Sequence, residues 1–215
     1  MEREELQNMR VTYLKGTLDR ENLNPDPLAM SKTWLQVAVD QEIFEANAMS
    51  LATVDEDKQP SLRTVLLKEI DDAGFIFYSN YHSRKGREIK HNPKASILLF
   101  WKKLERQIRI EGKIEKISEQ DSKAYFKSRP KGSQLGAWAS PQSKVITGRA
   151  ELDDRLQELQ DIYKEQERLP KPAHWGGYRL VPHYYEFWQG RDNRLHDRFE
   201  YKLKNDGWTI NRLAP

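Results

Sequence analysis

Short β-rich runs alternate with turn residues from Ala48 onward, and this alternation constrains the fold more than any other feature. A run over residues 61–70 ends at a DDAG turn, and residues 75–80 (FIFYSN) form the next run. Residues 107–117 (QIRIEGKIEKI) alternate apolar and polar side chains, as a half-buried strand does. Similar runs return after residue 177. These runs predict an α+β, mainly antiparallel protein built on a closed or sandwiched β-sheet.

The sequence also predicts several helices, most of which lie between the strand-like runs. The pair Asp26-Pro27 is typical of an N-cap followed by the first helical residue. A basic helix is predicted over residues 83–91, and Ser118 opens a capping-box-like sequence before another helix. Residues 151–166 carry leucines on one helical face. The stretch rich in Gly, Ser and Gln before them, up to about Thr147, is predicted to be a loop.

Composition excludes several classes of protein. The 215 residues suit one domain, and the absence of cysteine excludes disulfides, thiolate metal sites and a cysteine nucleophile. The longest apolar run, residues 96–101, is far too short for a membrane span, and the charged N-terminus lacks the features of a signal peptide. We therefore expect a cytoplasmic protein with no membrane contact. A net charge of +3 disfavours nucleic-acid binding.

Two groups of cations lie where strands meet turns or helices. Arg63 and Lys68 flank an apolar segment that we expect to be a buried strand with positively charged ends. Arg84 and Lys85 open the basic helix, where backbone N–H groups and the helix dipole favour an anion. The pattern indicates a phosphate site, and a solvated basic helix face is the alternative interpretation.

Two further clusters carry side chains suited to ligands. Tyr125, Arg129 and Ser133 suit a second phosphate, although Arg129 could instead only offset a helix dipole. Residues 188–198 hold three arginines, a histidine and a tryptophan, which suit a planar anionic ligand, whereas surface salt bridges are the alternative. Together they point to an organic cofactor and a phosphorylated substrate. No metal site is predicted, because the histidines lack ligand spacing.

Several sequence strings, in order along the chain, resemble those of the pyridoxamine 5′-phosphate oxidase family. They are RTVLLK (63–68), YSN with SRKGREI (78–80 and 83–89), LERQIRIEG (104–112), YFKSRPKGSQLGAWAS (125–140), PQS (141–143), EFWQG (186–190), RLHDRF (194–199) and the terminal NRLAP. Each string alone is weak. Their order and spacing from about Arg10 to Pro215 make the resemblance specific.

The resemblance implies an FMN-binding split β-barrel with peripheral helices, formed by residues 21–215 behind an N-terminal lid of residues 1–20. It also implies a homodimer with the flavin in the subunit interface. By matching position, the residues expected to hold FMN are Arg63, Thr64, Val65, Leu66, Leu67, Lys68, Tyr78, Ser79, Arg84, Lys85, Gln107, Gln142, Ser143, Trp188 and Arg198.

The same resemblance implies oxidation of pyridoxamine 5′-phosphate or pyridoxine 5′-phosphate to pyridoxal 5′-phosphate, with O2 as the acceptor and H2O2 as a product. Arg194 and His196 are the expected catalytic residues against the substrate ring. The residues expected to bind substrate are Arg10, Tyr13, Lys68, Tyr125, Arg129, Ser133, Arg194, Leu195 and His196. Of these, the lid pair Arg10 and Tyr13 matches the family least completely, since Val11 stands where relatives can carry a charge.

Two other functions stay open at this point. Another split-barrel flavin reductase would keep the flavin contacts but should lack the phosphate trio together with the RLH sequence at 194–196, and this chain has both. A non-catalytic carrier of flavin or pyridoxal phosphate would bind the ligand without reducing the flavin.

Overall fold

The computed structural model describes residues 3–9 and 11–215, except for the side chain of Leu6. Its regular elements are α1 Arg3–Asn8, α2 Pro27–Asp40, β1 Ala48–Val54, β2 Pro60–Leu66, β3 Glu69–Ile70, β4 Phe75–Asn80, α3 Arg84–His91, β5 Lys94–Trp101, β6 Arg106–Lys116, α4 Glu119–Ser128, α5 Lys131–Ala139, α6 Arg149–Ile162, β7 Trp175–Gln189, β8 Asp197–Lys204 and β9 Gly207–Leu213. Among the helices it describes, none is both long and apolar enough to cross a membrane.

The nine strands form one sheet in the order β2-β1-β5-β6-β7-β4-β3, with β8 beside β7 and β9 beside β8. The registers of β3 with β4, β4 with β7, β7 with β8 and β8 with β9 are antiparallel. The mainly antiparallel α+β class is therefore confirmed. The strand order places β2 and β3 at its ends, so the described strands do not form a closed sheet, which was one of the two arrangements that the sequence pattern left open.

The long strand β7 joins what the sequence shows as two separate runs. Residues 175–180 pair with β4, and residues 184–189 pair with β8. Pro182, which has no N–H to donate, lies between these two paired stretches. Neither register includes Pro182, so its missing N–H costs no hydrogen bond to β4 or β8.

The chain divides into two compact units, and four strands contribute residues to both. The first unit comprises residues 1–50, 97–111 and 182–215. In its core, Met30 and Trp34 of α2 lie one turn apart and are buried. Trp34 packs edge-on against Phe187, with ring centroids 5.2 Å apart, and Phe187 packs against Tyr201 at 5.4 Å.

The second unit comprises residues 51–96 and 112–181. Phe126, Leu135, Leu159, Leu169 and Trp175 form a buried cluster there, which joins α4, α5 and α6 to the start of β7. The burial of Leu159 agrees with the leucine face predicted for residues 151–166, although that helix runs over Arg149–Ile162.

The prediction of a loop up to about Thr147 is wrong over Lys131–Ala139, which form α5. Two glycines lower the helix propensity of this stretch, but tertiary contacts outweigh them. The buried Gln134 side chain donates to the carbonyl of Arg129 at 2.8 Å and accepts from Leu169 N at 2.8 Å. Leu135 is 4% exposed in the apolar cluster.

The expectation of a buried strand between Arg63 and Lys68 is also wrong for most of its length. Only Leu67 is buried, at 4% exposure, while β2 alternates between exposed and partly exposed residues. The reason is topological, because β2 lies at one end of the strand order and has a single neighbour in the sheet. The exposed and partly exposed residues of β2 can therefore line a cavity.

Candidate functional site

The second unit contains a cavity of about 610 Å³ whose lining includes three cationic side chains and no acidic one. Such a lining attracts anions, because no carboxylate in the wall offsets the positive charge. The lining residues are Thr64, Val65, Leu66, Lys68, Tyr78, Ser79, Asn80, Lys85, Tyr125, Arg129, Pro130, Ser133, Gly136, Ala137, Ser140, Gln142 and Trp175.

Of the three cations, Arg129 gives the strongest indication of an anionic ligand. It caps the C-terminus of α4 with extended backbone angles, φ −70° and ψ 148°, which a residue before proline favours. Its Nη1 atom is buried without a hydrogen-bond partner among the described residues. Burial lowers the pKa of the guanidinium, although Arg129 stays charged near neutral pH. Because a buried charged N–H without an acceptor is costly, this atom favours an anionic ligand.

Three stacked aromatic rings form one part of the wall. The rings of Tyr78 and Tyr125 lie 3.8 Å apart at 15°, and the rings of Tyr78 and Trp175 lie 5.4 Å apart at 12°. The Arg129 guanidinium carbon lies 4.8 Å from the centre of a Trp175 ring. Burial raises the pKa of Tyr78 to about 12, so its phenol stays neutral and can donate a hydrogen bond. The stack holds Tyr125 and Arg129 in place before any ligand binds.

Lys85 brings a second cation to the cavity from the first turn of α3. The N-cap residue Ser83 accepts from Gly86 N at 3.2 Å and so fixes the start of this helix. The Lys85 ammonium donates to Ser79 Oγ at 3.2 Å and to Gln142 Oε1 at 3.0 Å. Burial lowers its pKa, and the nearby Arg63 lowers it further. An anion beside Lys85 would reverse part of that shift.

A buried carboxylate organises the other two predicted cations of this region. Glu88 of α3 has a side chain that is 3% exposed and pairs with Arg63 at 3.0 Å and with Arg84 at 2.8 Å. Thr53 and Ser61 also donate to it. Burial alone would raise the pKa of Glu88, but these donors outweigh burial and lower the pKa to about 2. The two guanidinium groups are thus fixed by a charge that stays ionised at neutral pH.

The first unit carries a second cluster, made of Tyr13, Trp188 and His196. The Trp188 and His196 rings lie 4.7 Å apart, and Tyr13 meets both rings edge-on at 5.8 and 5.7 Å. Arg191 N donates to His196 Nδ1 at 3.1 Å, which places the proton of the neutral ring on Nε2. Burial lowers the pKa of His196, and Arg194 and Arg198 lower it further, so the ring is neutral at pH 7.

Two arginines near this cluster differ in their partners. Arg198 donates to both oxygens of the buried Glu186, at 3.0 and 3.1 Å, and Arg109 donates to the same carboxylate at 2.8 Å. Arg194 is exposed in a left-handed conformation, with φ 62°, and its side chain has no hydrogen bond or ion pair within the described ranges. The Arg194 side chain is therefore available to bind a ligand, whereas the Arg198 side chain is held by Glu186.

Comparison with known proteins identifies the family. A family profile described as pyridoxamine 5′-phosphate oxidase matches residues 35–163. A protein from a Cyanothece species, named pyridoxine/pyridoxamine 5′-phosphate oxidase, is 50% identical over 210 residues, covering 98% of each chain. The chain belongs to the pyridoxamine 5′-phosphate oxidase family. A second profile, described as the C-terminal dimerisation region of pyridoxine 5′-phosphate oxidase, matches residues 175–215.

Two solved structures share the fold of this chain. PhzG from Burkholderia lata, solved with tetrahydrophenazine-1-carboxylic acid, superposes with a TM-score of 0.87 at 32% identity, covering 93% of this chain and 98% of PhzG. An FMN-binding protein from Nostoc punctiforme, described as related to pyridoxamine 5′-phosphate oxidase, superposes with a TM-score of 0.68 at 17% identity, covering 88% of this chain and 98% of its own. The split-barrel fold that the family resemblance implies is thus confirmed.

The cavity unites most of the second-unit residues that the family resemblance selected. Those lining it are Thr64, Val65, Leu66, Lys68, Tyr78, Ser79, Lys85, Tyr125, Arg129, Ser133 and Gln142. Arg63 and Arg84 belong to the Glu88 network, Leu67 is buried, and Ser143 is exposed with φ 69°. Tyr13, Gln107, Trp188, Arg194, Leu195, His196 and Arg198 lie in the first unit. Arg10 lies outside the described residues. The roles of all these residues stay predictions.

Sequence reasoning missed several lining residues, above all Trp175. The strand-like runs recognised in the sequence return only after residue 177, yet Trp175 begins β7 and closes the aromatic stack. The two glycines that follow it were the available signal. A Cβ at Gly176 would lie 2.0 Å from the Tyr81 hydroxyl, and a Cβ at Gly177 would lie 2.4 Å from an Ile117 methyl, so both positions require close packing. Such packing indicates an ordered strand.

Proposed function

We propose that this chain is an FMN-dependent oxidase that converts pyridoxamine 5′-phosphate or pyridoxine 5′-phosphate into pyridoxal 5′-phosphate. The observation that carries the proposal is the cavity lined by Lys68, Lys85 and Arg129 without any acidic side chain. It contains a buried guanidinium N–H that lacks an acceptor. Phosphate groups meet both requirements. The name of the relative that is 50% identical over 98% of the chain supplies the two substrates.

The donor set of the cavity fits FMN. Lys85, Ser79 and Gln142 offer a linked group of polar atoms, and the neighbouring Arg63 and Arg84 are held by Glu88. Ammonium, guanidinium and hydroxyl groups are the donors that bind a phosphate ester. When bound, FMN supplies hydride acceptance from the substrate carbon C4′ and electron transfer to O2, which yields H2O2.

The substrate phosphate is assigned to Lys68, Tyr125, Arg129 and Ser133. Tyr125 is neutral, because burial raises its pKa, and it can therefore donate its hydroxyl proton to a phosphate oxygen. An anchored phosphate supplies binding energy away from the reacting carbon, and that energy orients the pyridine ring for hydride transfer. With the amine substrate, hydrolysis of the oxidised product also releases ammonia.

Arg194 and His196 are assigned to the pyridine ring. The free Arg194 guanidinium can orient a ring substituent and shield the site from water. His196 is neutral and offers an Nε2–H donor, because Arg191 N occupies its Nδ1 atom. It positions the substrate and is not required as a base, since water or the substrate amine can accept the proton.

We also propose that the enzyme is a homodimer with an N-terminal lid. The match of residues 175–215 to a dimerisation region supports a homodimer. We further assign residues 1–20 to a lid over a single domain of residues 21–215, with Arg10 and Tyr13 as its ligand contacts. The expected cytoplasmic location stays a prediction from the N-terminal sequence.

The test is the anaerobic addition of pyridoxine 5′-phosphate to the FMN-loaded protein while flavin absorbance is followed. Bleaching that reverses in air, with pyridoxal 5′-phosphate formed, is the expected result. A flavin that stays oxidised with both phosphorylated substrates would favour a carrier. Bleaching by tetrahydrophenazine-1-carboxylic acid alone would instead favour the chemistry suggested by the PhzG ligand.

Arg129 provides the matched pair of variants for this assay. Arg129→Gln should raise the KM for pyridoxine 5′-phosphate by about tenfold to a hundredfold, because a desolvated charge-assisted contact is lost. Arg149→Gln removes an arginine whose side chain is 81% exposed on α6, and it should leave the KM unchanged. Equal KM values for the two variants would remove Arg129 from the phosphate site.

A further inference from the structure

Gly190 directly follows β7 at a point where no side chain fits. A Cβ atom built on Gly190 would lie 2.8 Å from Tyr13 Cγ and 3.0 Å from both Tyr13 Cβ and Glu105 Cβ. The first of these distances is shorter than carbon atoms in proteins allow, and the atoms concerned lie at the base of the Tyr13 side chain. A methyl group at position 190 would therefore displace residue 13 as a whole, because a rotation of its ring would not relieve the contact.

Glu105 accepts hydrogen bonds from both the N-terminal segment and Gly190. Its backbone carbonyl accepts from Gly190 N at 2.7 Å, and its Oε2 atom accepts from Lys15 N at 3.0 Å. Glu105 is 6% exposed and adopts a left-handed conformation with φ 54°. One buried residue thus joins the N-terminal segment at Lys15 to the end of β7 at Gly190, and Tyr13 lies directly against this junction.

Tyr13 also belongs to the ring cluster that it forms with Trp188 and His196, so a displacement of Tyr13 would disturb this cluster. Tyr13 meets the edges of the Trp188 and His196 rings at 5.8 and 5.7 Å. We propose that Gly190 is a positioning residue for the reaction: its missing side chain makes the space in which Tyr13 settles against His196. This inference rests on the proposed function, in which Tyr13 and His196 contact the substrate.

The first experiment measures structure without using activity. Amide hydrogen exchange of the FMN-loaded protein is compared between the wild type, Gly190→Ala and Gly148→Ala. Gly148 is the matched control, because a Cβ there meets nothing within 4 Å and its φ of 172° suits any residue. We expect the Lys15 amide to exchange about tenfold faster in Gly190→Ala than in either other protein. The Leu18 amide, bonded to Asp197 Oδ2 at 3.1 Å, should keep its protection, which shows that the change is local.

The second experiment is a double-variant cycle with Tyr13→Ala. Because this change removes the Cγ atom that the new methyl would meet at 2.8 Å, Gly190→Ala should have a smaller effect in the Tyr13→Ala background than in the wild type. The contacts of 3.0 Å with the Cβ atoms of residues 13 and 105 remain in both backgrounds. If Gly190→Ala alone fails to fold, the double variant still decides the question. A folded double variant that behaves like Tyr13→Ala supports the proposal, and a double variant that also fails to fold overturns it.

The kinetic measurement separates positioning from loss of fold. Gly190→Ala should raise the KM for pyridoxine 5′-phosphate about tenfold while FMN affinity stays at the wild-type value. Lys15 exchange and KM values equal to those of Gly148→Ala would overturn the role of Gly190. A wild type that never reduces its flavin, combined with faster Lys15 exchange in Gly190→Ala, would instead reject the proposed oxidase and leave the packing of Tyr13 on Gly190 established.

Discussion

The charge of Glu88 is the perturbation whose cost the structure defines best. Glu88→Gln keeps the size of a side chain that is 3% exposed but removes the charge that pairs with Arg63 and Arg84. The pKa of Glu88 is lowered from 4.5 to about 2. At about 1.4 kcal/mol for each tenfold change in proton affinity, this difference corresponds to about 3 kcal/mol of folding stability at pH 7. The variant should therefore lose on the order of 3 kcal/mol.

The pH dependence of that loss follows from the direction of the pKa change. Because the folded-state pKa lies below the unfolded-state value, the contribution of Glu88 is fully present above about pH 4.5 and declines as the pH falls towards 2. At about pH 3, linkage leaves roughly half of it. The difference between wild type and Glu88→Gln should narrow accordingly, while losses from other carboxylates cancel between the two proteins.

Urea unfolding of the flavin-free proteins at about pH 7 and about pH 3 measures this difference, since bound FMN would add its own stabilisation. Glu167→Gln is the control, because Glu167 is exposed and has no ion pair among the described residues. Its stability should match that of the wild type at both pH values. If the cost of Glu88→Gln were the same at about pH 3 as at pH 7, or no larger than that of the control, the network would not act through the Glu88 charge.

Three other changes test separate parts of the structure. Arg194→Ala should lower kcat about tenfold or more without releasing FMN, because its exposed guanidinium fixes no other described residue; flavin lost on gel filtration with normal turnover per bound flavin would contradict this. Asp197→Asn should destabilise the first unit by about 2 kcal/mol at pH 7. Burial would raise the pKa of Asp197, but Leu18 N and Arg212 outweigh it and lower the pKa, so the thermal unfolding difference should shrink as the pH falls below about 4. Gly132→Ala should stabilise α5 by about 0.5–1 kcal/mol, since a Cβ there meets nothing within 4 Å, and an unchanged or lower Tm would contradict that.

Most strands and helix starts could be predicted, because local chemistry sets them. Asp26 accepts from Leu28 N at 2.9 Å as the cap before Pro27, and Ser118 accepts from Asp121 N at 3.0 Å at the start of α4. The helix α5 could not be predicted, because the buried Gln134 and Leu135 stabilise it through residues far away in the sequence. The packing of Tyr13 on Trp188 could not be predicted either, because Tyr13 lies beyond the end of α1 at Asn8 and its partner is far away in the sequence.

The candidate site shows the same division between local and distant information. A cation at a helix start or before a proline is visible in the sequence, and Lys85 and Arg129 were found in that way. Whether a cation already has a partner depends on residues elsewhere in the chain. Arg63 and Arg84 share Glu88, whereas Arg129 Nη1 has no partner in the described part of the chain. Sequence patterns give these arginines equal weight, and only the structure separates them.

This difference in partners implies two ways of holding an anion. Arg63 and Arg84 are paired through Glu88 before a ligand arrives, so binding there requires little ordering of side chains but gains less new electrostatic stabilisation. Arg129 is ordered by its contact with Trp175 while one buried N–H stays unsatisfied, so an arriving phosphate removes an existing cost. A cofactor that stays bound through many turnovers suits the first arrangement. A substrate whose binding energy must orient the reacting carbon suits the second. This agrees with the family resemblance, which assigns Arg63 and Arg84 to FMN and Arg129 to the substrate phosphate.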